Sequence, residues 1–350
     1  MEPDRLRQLG SPVDSTFYLM TNPEFEGKIE LIRGSGYRDY KTVMIRAQDR
    51  FDDLLATIAE PAHILVISPN VFFESPSPEV LGEGRKLMAM ACNSTPTSLE
   101  TIRHFLEVTR RTSPDEQASF SDTFFELLES TDYLVYEDRK RGTRATLQHL
   151  EESLVWNQQA GPIEWGEQQI VPSGEISVLP IEITEFKEDL KLPLDGEIVI
   201  RGYPILHNGT PSFSRTDQAR IHTRLAPLRH HAVIATVQAG VISDLRPATP
   251  EATPVVDMLT AMFEVDSRYR IVWEIGHALN TSLDLMAGNH AMNEVYGATE
   301  GCLHWGLGLT PYTQYHLDII SPDTTVYTDS GVVVLGVEGG YESDRLAGKI

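Results

Sequence analysis

The stretch Cys302–Ile320, CLHWGLGLTPYTQYHLDII, places a few polar side chains between apolar runs. Read as a strand with a two-residue period, its last part directs His316 and Asp318 to one face and Leu317 and Ile319 to the other. A histidine and an aspartate aimed the same way can present two ligands to a metal ion. They can equally form a hydrogen-bonded pair at the edge of a core, so H-x-D alone leaves both interpretations open.

Two carboxylates earlier in the chain also lie in or beside apolar strands. Val171–Pro180 has the pattern of a turn followed by a strand, and Glu175 is at the start of that strand. Ile271–Gly276 is an apolar strand that contains Glu274. A buried carboxylate is costly unless it is paired, hydrogen-bonded or bound to a metal. With nearby histidines these groups make an oxygen-and-nitrogen set suited to Zn, Mn, Co or Fe(II), although spacing alone does not show that they converge. The candidate ligands are Glu175, Glu274, His304, His316 and Asp318.

Four segments of the later half resemble, in the same order, the metal-site segments of the thermophilic aminopeptidase T family. They are PSGE at 172–175, WEIGHALN at 273–280, HWGLG at 304–308 and HLDI at 316–319. The resemblance implies a dimeric metallo-aminopeptidase with two adjacent metal ions that acts on the N-terminal region of a peptide through a metal-bound water. It also implies that the five candidate residues are the metal ligands.

The same resemblance implies that Tyr312 binds a metal ion or the tetrahedral oxyanion. The family has this tyrosine seven residues after its ligand histidine, whereas Pro311 stands there in this chain and Tyr312 follows. The likeness covers roughly residues 160–340, and the earlier half matches only loosely. We therefore predict a diverged, small layered α/β domain over 1–155. We predict a strand-rich α+β, aminopeptidase T-like domain over 156–350.

Two other functions fit parts of the pattern. The segments H-x-G-x-G-L and HLDI also resemble a dihydroxypyridine ring-opening dioxygenase, which implies one Fe(II) held by His304, His316 and Asp318. Glu175 departs from that second family, which lacks a glutamate in the turn. The rebuilt earlier half favours a third interpretation, a peptide-binding or peptide-modifying protein that keeps the cleft without hydrolysis, for example in the maturation of a ribosomal peptide.

Regular elements are predicted through both halves from apolar periodicity. No glycine-rich nucleotide fingerprint accompanies them. Predicted strands are Ala62–Ile67, Tyr133–Tyr136 and Glu197–Ile200, with a hairpin turn at Asp195–Gly196 before the last; further strand pairs turn at Ala239–Gly240 and Asp329–Gly331. Predicted helices are Gly84–Cys92, Ser98–Arg111 with Ser98 as N-cap, Ser121–Ser130, Ala145–Trp156 and Pro254–Val265.

Composition limits the partners that this chain can have. Its 350 residues predict about two domains, and 51 acidic against 29 basic residues give a formal charge of −22. That charge argues against nucleic acid and anionic membrane surfaces as partners. The one dense basic run, 139–144, is expected to be a solvated loop or to hold a carboxylate. Two cysteines, no signal peptide and no membrane span predict a cytoplasmic protein.

Several residues near the candidate ligands have weaker predicted roles. Gly306 and Gly308 either let backbone approach the site closely or belong to turns or a bulge. Cys302 is expected to be a small core residue. His277 and His290 are expected in a loop, where they contact solvent or substrate. The adjacent His230 and His231 are expected to be exposed.

Overall fold

Three β-sheets form the framework of the part of the chain that the structure describes. The computed structural model describes residues 1–12, 14–92, 97–172, 174–181, 190–208, 212, 214–279, 302–308 and 312–336, so that His290 lies outside the described residues. The chain is mixed α/β, which confirms the predicted class. It packs into two compact units. The first holds Met1–Ser119 and Gln159–Gly174, and the second holds Phe120–Gln158 and the chain from Glu175 onward, whereas the sequence led us to expect one boundary after residue 155.

The first unit is built on a five-stranded sheet whose paired strands are all parallel. Its strands are β1 (Thr16–Thr21), β2 (Asp39–Met44), β3 (Ala62–Ile67), β4 (Arg85–Met90) and β8 (Gln168–Val171), in the order β2-β1-β3-β4-β8. Its helices are α1 (Phe51–Ala56), α2 (Pro78–Leu81) and α3 (Leu99–Arg111). The predicted strand β3 is confirmed and is buried along its whole length. The Ser98 side chain accepts a hydrogen bond from the Thr101 amide, which confirms the N-cap of α3.

The helix predicted over Gly84–Cys92 is wrong, because this segment forms β4. The strand lies between β3 and β8, and its burial does not alternate along the chain. A strand inside a parallel sheet is covered on both faces, so its apolar residues do not follow a two-residue period. The resulting spacing of Leu87, Met88 and Ala91 is the same as that of a helix stripe, and periodicity cannot separate the two.

The second unit contains two sheets. The seven-stranded sheet has the order β13-β12-β10-β6-β5-β17-β18, with β5 (Leu134–Asp138), β6 (Thr143–Leu147), β10 (Leu194–Ile200), β12 (Val233–Gln238), β13 (Val241–Pro247), β17 (Thr325–Thr328) and β18 (Val333–Leu335). The six-stranded sheet has the order β11-β16-β15-β14-β9-β7, with β7 (Leu154–Gln159), β9 (Glu175–Pro180), β11 (Tyr203–Asn208), β14 (Val272–Ala278), β15 (Leu303–Leu307) and β16 (Tyr315–Ser321). The remaining α-helices are α4 (Pro114–Glu129), α5 (Arg215–Leu225) and α6 (Thr253–Val265). No helix within the described ranges is long and apolar enough to cross a membrane.

Most of the remaining predicted elements are confirmed, and two are wrong. The strand pairs that turn at Ala239–Gly240 and Asp329–Gly331 are β12–β13 and β17–β18, and the predicted helix over Pro254–Val265 is α6. The helix predicted over Ala145–Trp156 is instead the end of β6 and the start of β7. The hairpin turn predicted at Asp195–Gly196 lies inside β10. Gly196 is needed there because its φ is +128° and a Cβ would lie 2.3 Å from the Arg144 carbonyl oxygen, so that the glycine marks close strand contact rather than a turn.

His277 lies within β14 and is fully buried, so the predicted loop position is wrong. Its Nδ1–H donates to the Ile176 carbonyl oxygen at 3.0 Å, and its Nε2 accepts from the Tyr136 hydroxyl at 3.0 Å. Both ring nitrogens are therefore satisfied in the neutral tautomer. Burial lowers the pKa of His277 to about 3, which keeps the ring uncharged in the folded protein.

We expect replacement of His277 by phenylalanine to change how stability depends on pH. At pH 8 the variant should be about 1–3 kcal/mol less stable, because the Tyr136 hydroxyl and the Ile176 carbonyl lose their partner. Below pH 6.5 His277 becomes protonated in the unfolded wild-type chain but stays neutral in the folded protein. The free energy of unfolding of the wild type therefore decreases as the pH is lowered, down to about pH 3. The difference in the free energy of unfolding between wild type and variant should therefore be about 2 kcal/mol smaller at pH 5 than at pH 8. Urea unfolding at both pH values measures this difference. An equal difference at pH 8 and pH 5 would contradict a neutral, buried His277.

Candidate metal centre

One face of the six-stranded sheet carries all five candidate ligands. Residues directly opposite each other in antiparallel strands point to the same face, and so do residues two apart along a strand. The register across the sheet links the ligands in this way. The opposed pairs are Ala278 with Glu175, Gly276 with His304, Glu274 with Gly306, Gly306 with Asp318, and His316 with His207. The sheet thus gathers side chains from four predicted segments and adds His207 from β11.

The candidate ligands form two groups that share one residue. Ligand atoms of Glu175, Glu274 and His304 all lie within 4.8 Å of one another, and so do those of Glu274, His316 and Asp318. Each group combines imidazole nitrogen with carboxylate oxygen, which is a donor set for Zn, Mn, Co or Fe(II). Asp318 and His304 are buried, whereas Glu175, Glu274 and His316 are half-buried. The arrangement can hold one or two divalent cations.

His316 is held so that one ring nitrogen faces the carboxylates. Its Nδ1–H donates to the Gly308 carbonyl oxygen at 2.8 Å. Its Nε2 lies 2.9 Å from Asp318 Oδ2 and 3.5 Å from Glu274 Oε2. A backbone carbonyl that accepts from the other nitrogen fixes the ring and its tautomer in many metal sites. Gly308 is thus a contact of the site through its backbone, and a Cβ there would lie 2.6 Å from the Tyr269 ring.

Charges inside the site are strongly coupled. Burial raises the pKa of the Asp318 carboxyl, but the neighbouring His316, followed by His207 and His304, holds that pKa well below its usual range. Burial lowers the pKa of His316, yet Asp318 and Glu274 outweigh burial and raise that pKa well above its usual value. Burial also opposes the charge of Glu274, and a hydrogen bond from His316 still lowers its pKa. Without a metal ion, the His316 imidazolium therefore supplies the positive charge between two carboxylates.

The chemistry of these residues fits a divalent cation. Asp318 is fully buried, and among the described residues no donor makes a hydrogen bond to its Oδ1. The His304 Nε2 lies 3.8 Å from that oxygen, which is beyond hydrogen-bonding distance. A buried carboxylate oxygen without a donor is costly unless a cation satisfies it. Glu175, Glu274, His304, His316 and Asp318 are thus the residues that could hold a metal ion.

Two glycines make room for the ligand side chains. A Cβ on Gly276 would lie 1.9 Å from the His304 ring, so this ring packs directly over the Gly276 backbone. A Cβ on Gly306 would lie 2.8 Å from the Glu274 Cβ and 3.1 Å from Asp318 Oδ1. The predicted close approach of backbone at Gly306 is confirmed. Local periodicity does not link Gly276 to His304, because the glycine lies on the strand next to that of the histidine that it accommodates.

The remaining predicted residues have mixed outcomes. Tyr312 packs against a cluster that contains Ile271 and Trp273, and its role at a metal ion or oxyanion stays a prediction. Cys302 is buried, as expected for a small core residue. In the basic run 139–144, Arg141 already pairs with Asp138 and Asp323, and Arg139 with Glu137. Arg141 is therefore a member of an ion-pair network inside the protein.

The sequence alone did not reveal His207. It lies on β11, and its Nε2 is 3.3 Å from Asp318 Oδ2. The segment before it, Tyr203–Leu206, contains a proline, which usually excludes a central strand. Because β11 is at the edge of its sheet, the proline is tolerated. The available signal was a lone histidine at the end of a short apolar run, and that pattern is not specific.

Together these features define a mixed α/β protein with a candidate metal centre on one face of an antiparallel sheet. No sequence profile of a known protein family matches the chain, and no curated protein matches it by sequence. Its structure is similar to that of 2,5-dihydroxypyridine dioxygenase from Pseudomonas putida, with a TM-score of 0.56, 14% identity and 98% of each chain covered. It also matches AmpT from Thermus thermophilus, with a TM-score of 0.46, 11% identity and 95% of each chain covered. The dioxygenase match shows a shared fold, and it includes the earlier half that matched only loosely by sequence.

Proposed function

We propose that this protein is a metal-dependent hydrolase that acts on the N-terminal region of a peptide. In this proposal Glu175, Glu274, His304, His316 and Asp318 hold about two divalent ions of Zn, Mn or Co. The observation that carries it is the presence of two three-residue ligand groups that share Glu274. A carboxylate has two oxygens, so one glutamate can serve two neighbouring cations.

The residues of the chain have distinct parts in this chemistry. Bound cations of this kind lower the pKa of a water molecule and polarise a carbonyl group. Glu274 places a carboxylate oxygen in each ligand group, while the Gly308 carbonyl orients His316 toward the second group. The burial of His304 and Asp318 keeps bulk water away from these donors and strengthens their electrostatic interactions. Tyr312 is the proposed group for the oxyanion.

A mononuclear Fe(II) dioxygenase is the second candidate. His304, His316 and Asp318 share one face of the sheet and form a two-histidine, one-carboxylate set. The fold that the chain shares with a dioxygenase is consistent with this function. Among the described residues, however, both three-ligand groups contain Glu274. His304, His316 and Asp318 do not form such a group by themselves. Glu175 and Glu274 would have no function in such a site, and for this reason we place the hydrolase first in the proposal.

The partners of the protein are also part of the proposal. A peptide as substrate, a homodimer as the assembly, and neither nucleic acid nor membrane as partner follow from the charge and from the resemblance described above. A peptide-binding protein that keeps the ligand groups without hydrolysis is the remaining alternative. It predicts the same peptide affinity but no release of residues.

Metal analysis followed by a peptide panel separates these functions. Purified protein is loaded with Zn, Mn, Co or Fe(II), desalted and analysed for metal content. The hydrolase predicts about two Zn, Mn or Co ions per chain and release of N-terminal residues from short peptides. One Fe per chain would favour the dioxygenase, and no retained metal would favour a binding protein. A loaded protein that releases nothing across a broad panel of peptides would contradict the hydrolase.

A further inference from the structure

We propose that His207 is a positioning residue of the metal centre, which holds Asp318 so that one carboxylate oxygen is presented to the cation. This inference rests on the proposed metal-dependent function and extends it to a residue outside the ligand groups. His207 lies at the end of β11, directly opposite His316 on β16. Because opposed residues point to the same face of a sheet, the His207 imidazole lies on the face that carries the ligands.

The two oxygens of Asp318 have different surroundings. Oδ2 has His316 Nε2 at 2.9 Å and His207 Nε2 at 3.3 Å. His304 Nε2 approaches the other oxygen, Oδ1, at 3.8 Å. His207 thus approaches Asp318 from the Oδ2 side. An imidazole in contact with one oxygen restrains the rotation of the carboxylate about its terminal torsion, which is otherwise broad.

His207 is outside both groups of candidate ligands. The groups contain Glu175, Glu274, His304, His316 and Asp318, and no ligand atom of His207 is close enough to all members of either one. The rings of His207 and His316 are tilted by 31° with their centroids 5.9 Å apart. His207 therefore contacts the Asp318 carboxylate from its outer side. Carboxylates that bind metals are usually hydrogen-bonded by such an outer group, and its removal typically weakens metal binding about 10–100-fold.

Exposure distinguishes His207 from the carboxylate that it contacts. The His207 side chain is 23% exposed, whereas that of Asp318 is 1% exposed. His207 therefore lies between the buried ligand and solvent. Its replacement removes an outer contact of the site and leaves the inner donors in place. The expected effect is weaker cation binding with an unchanged set of ligand atoms.

The test compares metal binding by wild-type protein, His207→Ala, His207→Gln and the control His230→Ala. The glutamine amide keeps an N–H group that can contact Asp318, and His230 is an exposed histidine elsewhere in the same unit. Zn and Mn affinities are measured by competition with a chelator. We expect His207→Ala to bind about 10–100-fold more weakly, His207→Gln to recover much of that loss, and the control to match wild type. The Cu(II)-loaded proteins should show the same number of nitrogen ligands by electron paramagnetic resonance.

Each other result has a defined meaning. If wild-type protein binds metal and His207→Ala binds equally well, the inference is wrong and the proposed function is untouched. If His207→Ala loses a nitrogen from the Cu(II) spectrum, His207 is a ligand and the positioning role is wrong. If wild-type protein binds no divalent metal, the proposed function fails and this inference fails with it. If His207→Ala does not fold, the metal affinity and the Cu(II) spectrum of His207→Gln are used instead. Loss of a nitrogen from that spectrum would make His207 a ligand, and an affinity equal to that of wild type would contradict the inference.

Discussion

Replacement of Glu274 by glutamine is expected to abolish metal binding at both ligand groups. Glu274 is the one residue that the two groups share, so its loss leaves each with only two of its three donors. The amide has the shape of the carboxylate, but it is neutral and binds divalent cations much more weakly. Removal of one negative charge also leaves His316 and Asp318 to neutralise each other. The metal content should fall from about two ions per chain to none after desalting.

Two comparisons make this result specific. Glu251→Gln changes an exposed glutamate of the same unit and should leave the metal content unchanged. His316→Ala removes a donor from one group only, so it should retain about one ion if Glu175, Glu274 and His304 still bind. Metal content is measured by elemental analysis, and circular dichroism checks the fold. Full metal content in folded Glu274→Gln would contradict the shared-ligand arrangement.

The sequence predicted the strands of the site well because their apolar patterns are local. The alternation at His316–Ile319 and the isolated Glu274 in an apolar run depend on neighbours in the chain, and both are found in the structure. What periodicity cannot predict is which strands lie side by side. The order β11-β16-β15-β14-β9 brings Glu175 and His207 to the same face although more than 30 residues separate them. Convergence is thus a property of topology, and only the resemblance anticipated it.

The errors in the sequence predictions arise where contacts between distant parts of the chain decide the local structure. β4 and the segment of β6 and β7 were predicted as helices because apolar residues at three- and four-residue spacing occur in both structures. Gly196 was predicted to turn the chain, yet it serves a close contact between strands. His277 directly follows the predicted strand Ile271–Gly276, so the local pattern places it in a loop. In the structure, two hydrogen bonds satisfy both of its ring nitrogens inside the core, and the partner residues are distant in sequence.

Replacement of Gly276 by alanine is expected to remove one of the two ions by crowding His304. The added Cβ would lie 1.9 Å from the ring of His304, which is itself buried and has little room to move. Crowding of this kind costs about 1–3 kcal/mol and displaces the side chain. His304 is a member of only the group with Glu175 and Glu274, so the other group keeps its donors. The variant should therefore retain about one ion per chain, in contrast to Glu274→Gln.

A second glycine variant separates this local effect from a general loss of stability. A Cβ on Gly331 would contact nothing within 4 Å, but its φ of +87° makes alanine unfavourable there by about 1 kcal/mol. Gly331→Ala should thus lower the free energy of unfolding and still bind as much metal as wild type. Urea unfolding and elemental analysis on both variants measure the two quantities. Because a methyl group on Gly276 changes no charge and no donor, metal loss confined to Gly276→Ala would show that the position of the His304 ring limits metal binding. Full metal content in that variant would show that His304 is not a required ligand.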